Sequence, residues 1–76
     1  MRDEVHRRAA EHWINAVFAA KAAQSGGVVR RSVYWVDREI GRERFIDEVR
    51  TRGFHMVECG GQFVVICNAG GLKVVC

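Results

Sequence analysis

The stretch FHMVECGGQFVVIC, residues 54–67, decides the fold. It holds two runs rich in β-branched and aromatic residues, Phe54–Cys59 and Gln62–Cys67, a composition typical of strands. Between them lies Gly60-Gly61, a two-residue turn signal that suits the positive φ angles of tight hairpins. The pattern predicts a β-hairpin in which Cys59 faces Gln62 and Val57 faces Val64.

Downstream of the hairpin, Asn68–Gly71 predicts a four-residue loop and Leu72–Cys76 predicts a further strand. Pairing that strand with its neighbour sets Cys67 opposite Leu72 and Phe63 opposite Cys76. Alternation then gives this meander a core face with Phe54, Met56, Glu58, Phe63, Val65, Cys67, Leu72, Val74 and Cys76. Its other face carries His55, Val57, Cys59, Gln62, Val64, Ile66, Lys73 and Val75.

Upstream of the hairpin, apolar residues at helical spacing predict a long helix over 2–24, ended by Gly26-Gly27. The run 28–36 predicts a strand with Trp35 on the core face. A second helix is predicted over 42–52, and Gly53 followed by Phe54 fits a Schellman ending. The sequence therefore predicts an α+β fold: helix, strand, helix and a three-stranded antiparallel meander, with two helices on a four-stranded sheet.

The composition limits the classes of protein to consider. A chain of 76 residues makes one domain, 1–76, and 49% hydrophobic with 28% charged residues argues against disorder. No apolar run is long enough to span a membrane, and the first residues do not resemble a signal peptide. We therefore expect a soluble protein in the cytoplasm of a bacterial host cell. A net charge of +3 does not by itself indicate nucleic-acid binding.

The sequence offers no catalytic or metal-binding motif. Three cysteines, Cys59, Cys67 and Cys76, lack the even number of a disulfide framework and the CxxC spacing of a zinc site. The predicted pairing spreads them over both faces of the sheet, too far apart for one zinc ion or a disulfide. His55 and Cys59 stand four residues apart on one strand, about 13 Å, which is too far for a catalytic pair. We expect a protein that is not an enzyme and uses no cofactor or metal.

One face of the predicted sheet carries an apolar patch of Val57, Val64, Ile66 and Val75. Two short helices cover one face of a four-stranded sheet more easily than both, which leaves this patch open to a partner or a second copy. The other interpretation is that the apolar half of the first helix folds over it. In the first case the partner-binding residues are Arg30, Tyr34, His55, Val64, Ile66 and Lys73, followed by Trp13 and Phe18 if their helix row is exposed.

An alternative is a small RNA- or DNA-binding module. Arginines cluster in this part of the sequence together with aromatic residues, a combination that sheet-based RNA binders use. Its candidate residues are Arg30, Arg31, Tyr34, Arg38 and Arg42. Five acidic residues lie between positions 30 and 52 against seven arginines, which leaves an excess of only 7 − 5 = 2 positive charges.

Two resemblances bear on function. The order of elements from Phe45 to Cys76 resembles the first half of the double-stranded-RNA-binding-like fold of HicA-type mRNA interferase toxins. Those toxins carry a catalytic His in a Gly-Ser-His turn, where this chain has Gly60-Gly61-Gln62, so ribonuclease activity is not implied.

As a whole, this short, motif-free, Arg-, Ala- and Val-rich chain is similar to many phage-encoded anti-CRISPR proteins. That resemblance implies a non-enzymatic inhibitor that binds a larger protein or ribonucleoprotein complex and blocks target DNA binding or nuclease recruitment.

Overall fold

A three-stranded antiparallel sheet lies at the centre of the fold, with helices packed on it. The computed structural model describes residues 2–76, with side chains from Arg8 onward. In chain order the elements are α1 (Arg2–Phe18), α2 (Lys21–Gln24), β1 (Val28–Ser32), α3 (Val33–Glu39), α4 (Arg42–Thr51), β2 (His55–Cys59) and β3 (Gln62–Ile66). The α+β class is confirmed, whereas the four-stranded sheet with only two helices is wrong.

The hairpin predicted from Gly60-Gly61 is present. Both glycines adopt positive φ, 58° and 77°, and Cys59 pairs with Gln62 as expected. The same register sets Val57 opposite Val64. The two strands therefore present their side chains to the two sides of the sheet in the predicted alternation.

The predicted strand Leu72–Cys76 is absent, and its expected pairs with Cys67 and Phe63 are wrong. The sheet order is β1-β3-β2, so β3 is the central strand and hydrogen-bonds to β1 along its second edge. That register runs from Val28 opposite Ile66 to Ser32 opposite Gln62. Because a strand has only two edges, no position beside β3 remains for a further strand.

The predicted strand over 28–36 is only half right, because β1 ends at Ser32 and α3 follows at once. The Val33 amide donates to the carbonyl of Gly61 at 2.9 Å, which holds the start of α3 at the hairpin turn. Helical spacing then turns Val36 fully into the core and leaves Trp35 50% exposed. The expected core position of Trp35 is therefore wrong.

The long N-terminal helix is interrupted near residue 20. α1 ends at Phe18, and Ala20 adopts an extended ψ of 145° before α2 begins. The side chain of Gln24 donates to the Phe18 carbonyl at 2.8 Å and so satisfies a carbonyl at the end of α1. By contrast α4 ends as predicted: Gly53 has φ 73°, and the Phe54 amide donates to the Val49 carbonyl at 3.1 Å.

The core lies between the helices and one face of the sheet. Phe45, Ile14, Val36 and Val65 are essentially inaccessible to solvent. The ring of Phe45 lies between helix and sheet, with centroids 6.2 Å from Phe18 and 5.9 Å from Phe63. We call the side of the sheet that carries Val29, Phe63, Val65 and Cys67 the covered face.

Candidate interaction surface

The other side of the sheet, here the open face, is not covered by the helices. Residues of α1 share one buried core with Phe63 and Val65 of the covered face, so the alternative in which the first helix folds over the open face is wrong. The register arranges the open face in three rows across β1, β3 and β2: Val28, Ile66 and His55; Arg30, Val64 and Val57; Ser32, Gln62 and Cys59.

The four apolar residues of the first two rows form a strip. Val28 and Val57 lie on the two outer strands and are 46% and 43% exposed. Val64 and Ile66 lie between them on the central strand and are half-buried. An apolar strip that crosses a whole sheet in contact with solvent is typical of an interaction surface. The expected partner residues Val64 and Ile66 are therefore brought together, whereas Val75 is not on the sheet.

The polar residues around this strip leave it positively charged. The nine positions of the open face include no Asp or Glu. The guanidinium of Arg30 makes no ion pair with any residue that the structure describes. At the opposite edge, His55 Nε2 donates to the carbonyl of Gly70 at 2.6 Å, which fixes the ring at the start of β2.

A second feature lies on α3, which begins directly after β1. Tyr34 and Trp35 are 61% and 50% exposed, with ring centroids 5.3 Å apart in an edge-to-face arrangement. The guanidinium of Arg38 lies 5.6 Å from the Trp35 ring centroid and donates to the Tyr34 hydroxyl at 3.2 Å. We call these three residues the aromatic cluster. Trp, Tyr and Arg are the residues in which binding energy concentrates at protein interfaces.

Sequence reasoning missed one of the three residues of this cluster, Trp35, since a strand puts Tyr34 and Trp35 on opposite faces. The helical signal was present: Val33, Val36 and Ile40 follow a spacing of three and four residues. The β-branched run before these residues favoured a strand, so the helical spacing was not recognised.

Four of the expected partner residues lie off the sheet. The expected sheet position of Tyr34 is wrong, because β1 ends at Ser32 and Tyr34 lies on α3. Phe18 is buried, and Trp13 packs edge-on against Phe45 at 5.9 Å, so the exposed helix row on which their role depends is absent. Lys73 is exposed but belongs to the segment after β3, which forms no strand. Of the expected sheet residues, Arg30 shares a row with Val64, and His55 shares the next row with Ile66.

Only some of the candidate residues for nucleic-acid binding are available to a ligand. Arg31 donates to the carbonyl of its neighbour Arg30 at 2.6 Å and has the parity of the covered face. Arg42 lies 3.9 Å from Asp37 and 3.8 Å from Glu58, so its charge is locally compensated. That leaves Arg30, Tyr34 and Arg38 available to a ligand.

The described residues contain no group of three or more His, Cys, Asp or Glu placed to hold a metal ion. Burial raises the pKa of the Cys67 thiol, which keeps it protonated and unreactive. An open groove of about 320 Å³ lies between α4 and the start of β2, with Arg50 and His55 as its titratable residues.

No protein-family model matches the chain, no curated protein matches it, and no solved structure matches it. Among the described helices, none is both long and apolar enough to cross a lipid bilayer.

Proposed function

We propose that this protein is a non-enzymatic protein-binding module that docks its open face on a larger protein. The observation that carries the proposal is the apolar strip of Val28, Val57, Val64 and Ile66, which crosses the sheet in contact with solvent. The helices of this chain bury the covered face, but two of the four side chains of the strip remain more than 40% exposed. Burial of such a strip against a partner gives the hydrophobic gain that drives most protein association.

The chemistry of the partner follows from the charge around the strip. Arg30 lies at one end of the middle row without an acidic neighbour, and Arg38 contacts only aromatic rings and a hydroxyl among the described residues. A complementary partner surface has an apolar centre with carboxylates placed opposite these two guanidinium groups. The exposed rings of the aromatic cluster supply rigid anchors beside that contact.

The narrower proposal is inhibition. A module of this size acts by occupying a surface that its partner needs, and the resemblance to phage-encoded anti-CRISPR proteins supports a host defence complex as the target. In this proposal the protein works in the bacterial cytoplasm, where it blocks target DNA binding or nuclease recruitment by a ribonucleoprotein complex.

The test compares two single lysine substitutions. Proteins retained from a nuclease-treated bacterial lysate are identified by mass spectrometry, and the dissociation constant of the purified pair is measured by calorimetry. We expect Val64→Lys, at the centre of the open face, to weaken binding by about a hundredfold or more. Ala16→Lys adds the same charge at an exposed position of α1 and should leave binding within about threefold.

Thermal unfolding of both variants excludes loss of the fold as the cause. Equal binding by both variants, with an intact fold, would show that the open face is not the docking surface.

A second candidate function is single-stranded RNA or DNA binding by the aromatic cluster together with Arg30. The favouring observation is that two adjacent exposed rings and two uncompensated guanidinium groups lie on consecutive elements. Two phosphate contacts predict a slope of about −1.4 in the logarithm of the binding constant against that of the salt concentration.

Arg38→Ala should lower that slope by about half, and Trp35→Ala should abolish the quenching of tryptophan fluorescence. Protein docking by an apolar strip instead predicts weak dependence on salt. The salt titration therefore separates the two functions.

A further inference from the structure

The segment Leu72–Cys76 has the composition of a strand but pairs with none of the strands that the structure describes. Four of its five residues are apolar, and Leu72, Val74 and Val75 are 51%, 79% and 90% exposed. Residues 71–76 make no main-chain hydrogen bond to any part of the chain that the structure describes. We call this segment the free strand. It combines exposed apolar side chains with unpaired main-chain groups, each of which favours burial in a sheet.

The sheet offers two edges on which such a segment can pair. The order β1-β3-β2 leaves the outer edge of β1 and the outer edge of β2 without strand partners. β1 carries Arg30 and Arg31, which repel Lys73, the one charged side chain of the free strand. β2 carries one acidic residue, Glu58, which lies 3.8 Å from Arg42 on its own chain but is half exposed, so it also attracts Lys73. Charge complementarity therefore selects the edge of β2.

The same charge pair fixes a register. An antiparallel arrangement with Lys73 opposite Glu58 pairs all five residues of the free strand with all five of β2. Val74 then lies opposite Val57 on the open face, and Val75 lies opposite Met56 on the covered face. Apolar residues of the free strand thus meet apolar residues of β2 on both faces.

The free strand cannot reach this register on its own chain. The Gly70 carbonyl accepts from His55, and a Cβ placed on Gly53 would lie 3.8 Å from that of Ala69, so the segment starts beside the beginning of β2. From there it can run only parallel to β2. The antiparallel register requires it to start beside Cys59, about 13 Å away, which Gly71 alone cannot span.

We propose that two copies of this chain exchange their free strands. Each copy adds Leu72–Cys76 as a fourth, antiparallel strand to the β2 edge of the other. The exchange is reciprocal, so one twofold axis forms the same contact twice and closes the assembly. It widens the open face of each copy by one strand, with Val74 of one chain beside Val57 of the other, and it is independent of the partner proposed above.

A charge exchange tests the contact and its register. The dimer dissociation constant of the full chain is measured by sedimentation equilibrium for Lys73→Glu, for Glu58→Lys and for the double variant. Because the contact occurs twice, each single variant should raise the dissociation constant at least tenfold, and the double variant should return it to within about threefold. Val64→Lys, which acts on the open face, should leave this constant unchanged, so the two proposals fail separately.

Disulfide trapping tests the pairing directly. With Cys59→Ser and Cys76→Ser, the pair Val57→Cys and Val74→Cys should give a covalent dimer on oxidation, since opposite residues lie within disulfide distance. The control pair Val57→Cys and Val75→Cys has opposite parity and should give none. A monomer throughout the micromolar range, a dimer insensitive to the charge exchange, or trapping within one chain would each overturn the proposal.

Discussion

The two faces of this sheet are built from similar residues, but one face is buried and the other is in contact with solvent. Along β3, Phe63 and Val65 are 3% and 0% exposed, whereas Val64 and Ile66 between and after them remain in contact with solvent. All four are strong strand formers, so hydrophobicity alone does not decide which side is buried. The decision comes from the helices, which pack on one side only. The fold therefore depends on the covered face, and the open face is available for binding.

The largest expected effect is on the covered face. Phe45→Ala should lower the free energy of unfolding by about 3–5 kcal/mol, because its ring is inaccessible to solvent and contacts three other aromatic rings. The matched change on the open face is Val57→Ala, for which we expect a loss below about 1 kcal/mol. Urea unfolding followed by circular dichroism measures both. Similar losses at both positions would mean that the two faces contribute alike to stability.

A smaller effect on stability is expected when two arginines with different contacts are replaced by alanine. Arg52 donates to Glu48 at 2.6 Å and lies 4.1 Å from the centroid of the Phe18 ring, so it covers an edge of the core. Arg52→Ala should cost about 1 kcal/mol from the lost cation–π contact and the lost ion pair. Arg30→Ala removes a guanidinium without a partner in the described structure and should change stability by less than about 0.5 kcal/mol. The same unfolding measurement applies. A larger loss of stability for Arg30→Ala than for Arg52→Ala would contradict the assignment of the faces.

Local signals sufficed to predict the hairpin and α4. The turn at Gly60-Gly61 needs positive φ at two successive residues, which glycine adopts without steric cost. The ending at Gly53 works in the same way, with Phe54 donating back to α4. Each of these features is decided within a few residues, so no knowledge of the rest of the fold is needed.

The number of strands was not predictable in this way. Leu72–Cys76 has as good a strand composition as β1, but both compete for the second edge of β3. β1 occupies that edge, and the Gly27 carbonyl accepts from Cys67 at 2.9 Å to extend the ladder. The outcome depends on which segment the helices can hold in place, and this is a property of the whole chain.

In the candidate surface, too, some features follow from local sequence signals and others depend on the whole fold. Alternation along the hairpin was enough to place Val64, Ile66 and His55 on the open face, because period two holds wherever a strand holds. Lys73 and Trp35 were misplaced because their segments are not strands. The aromatic cluster depends on the end of β1 at Ser32, which the β-branched Val33 conceals in the sequence.

The smallest expected effect is a pH dependence that arises from the covered face. Burial raises the pKa of the Cys67 thiol above its ordinary value of 9.0. Below that value both states keep the proton, and the contribution of the thiol to stability is complete. As the pH rises above it, the unfolded chain loses the proton while the folded chain keeps it, so stability falls until the folded pKa is reached.

We compare unfolding at pH 7.5 and pH 10 for the wild type and Cys67→Ala, in which the other titratable groups are the same. The cavity left by the substitution lowers stability at both pH values, so the test lies in the difference between them. The wild type should lose more stability on going to alkaline pH than the variant does. Equal losses would mean that this thiol titrates alike in the folded and unfolded chains, and that Cys67 is in contact with water on the covered face.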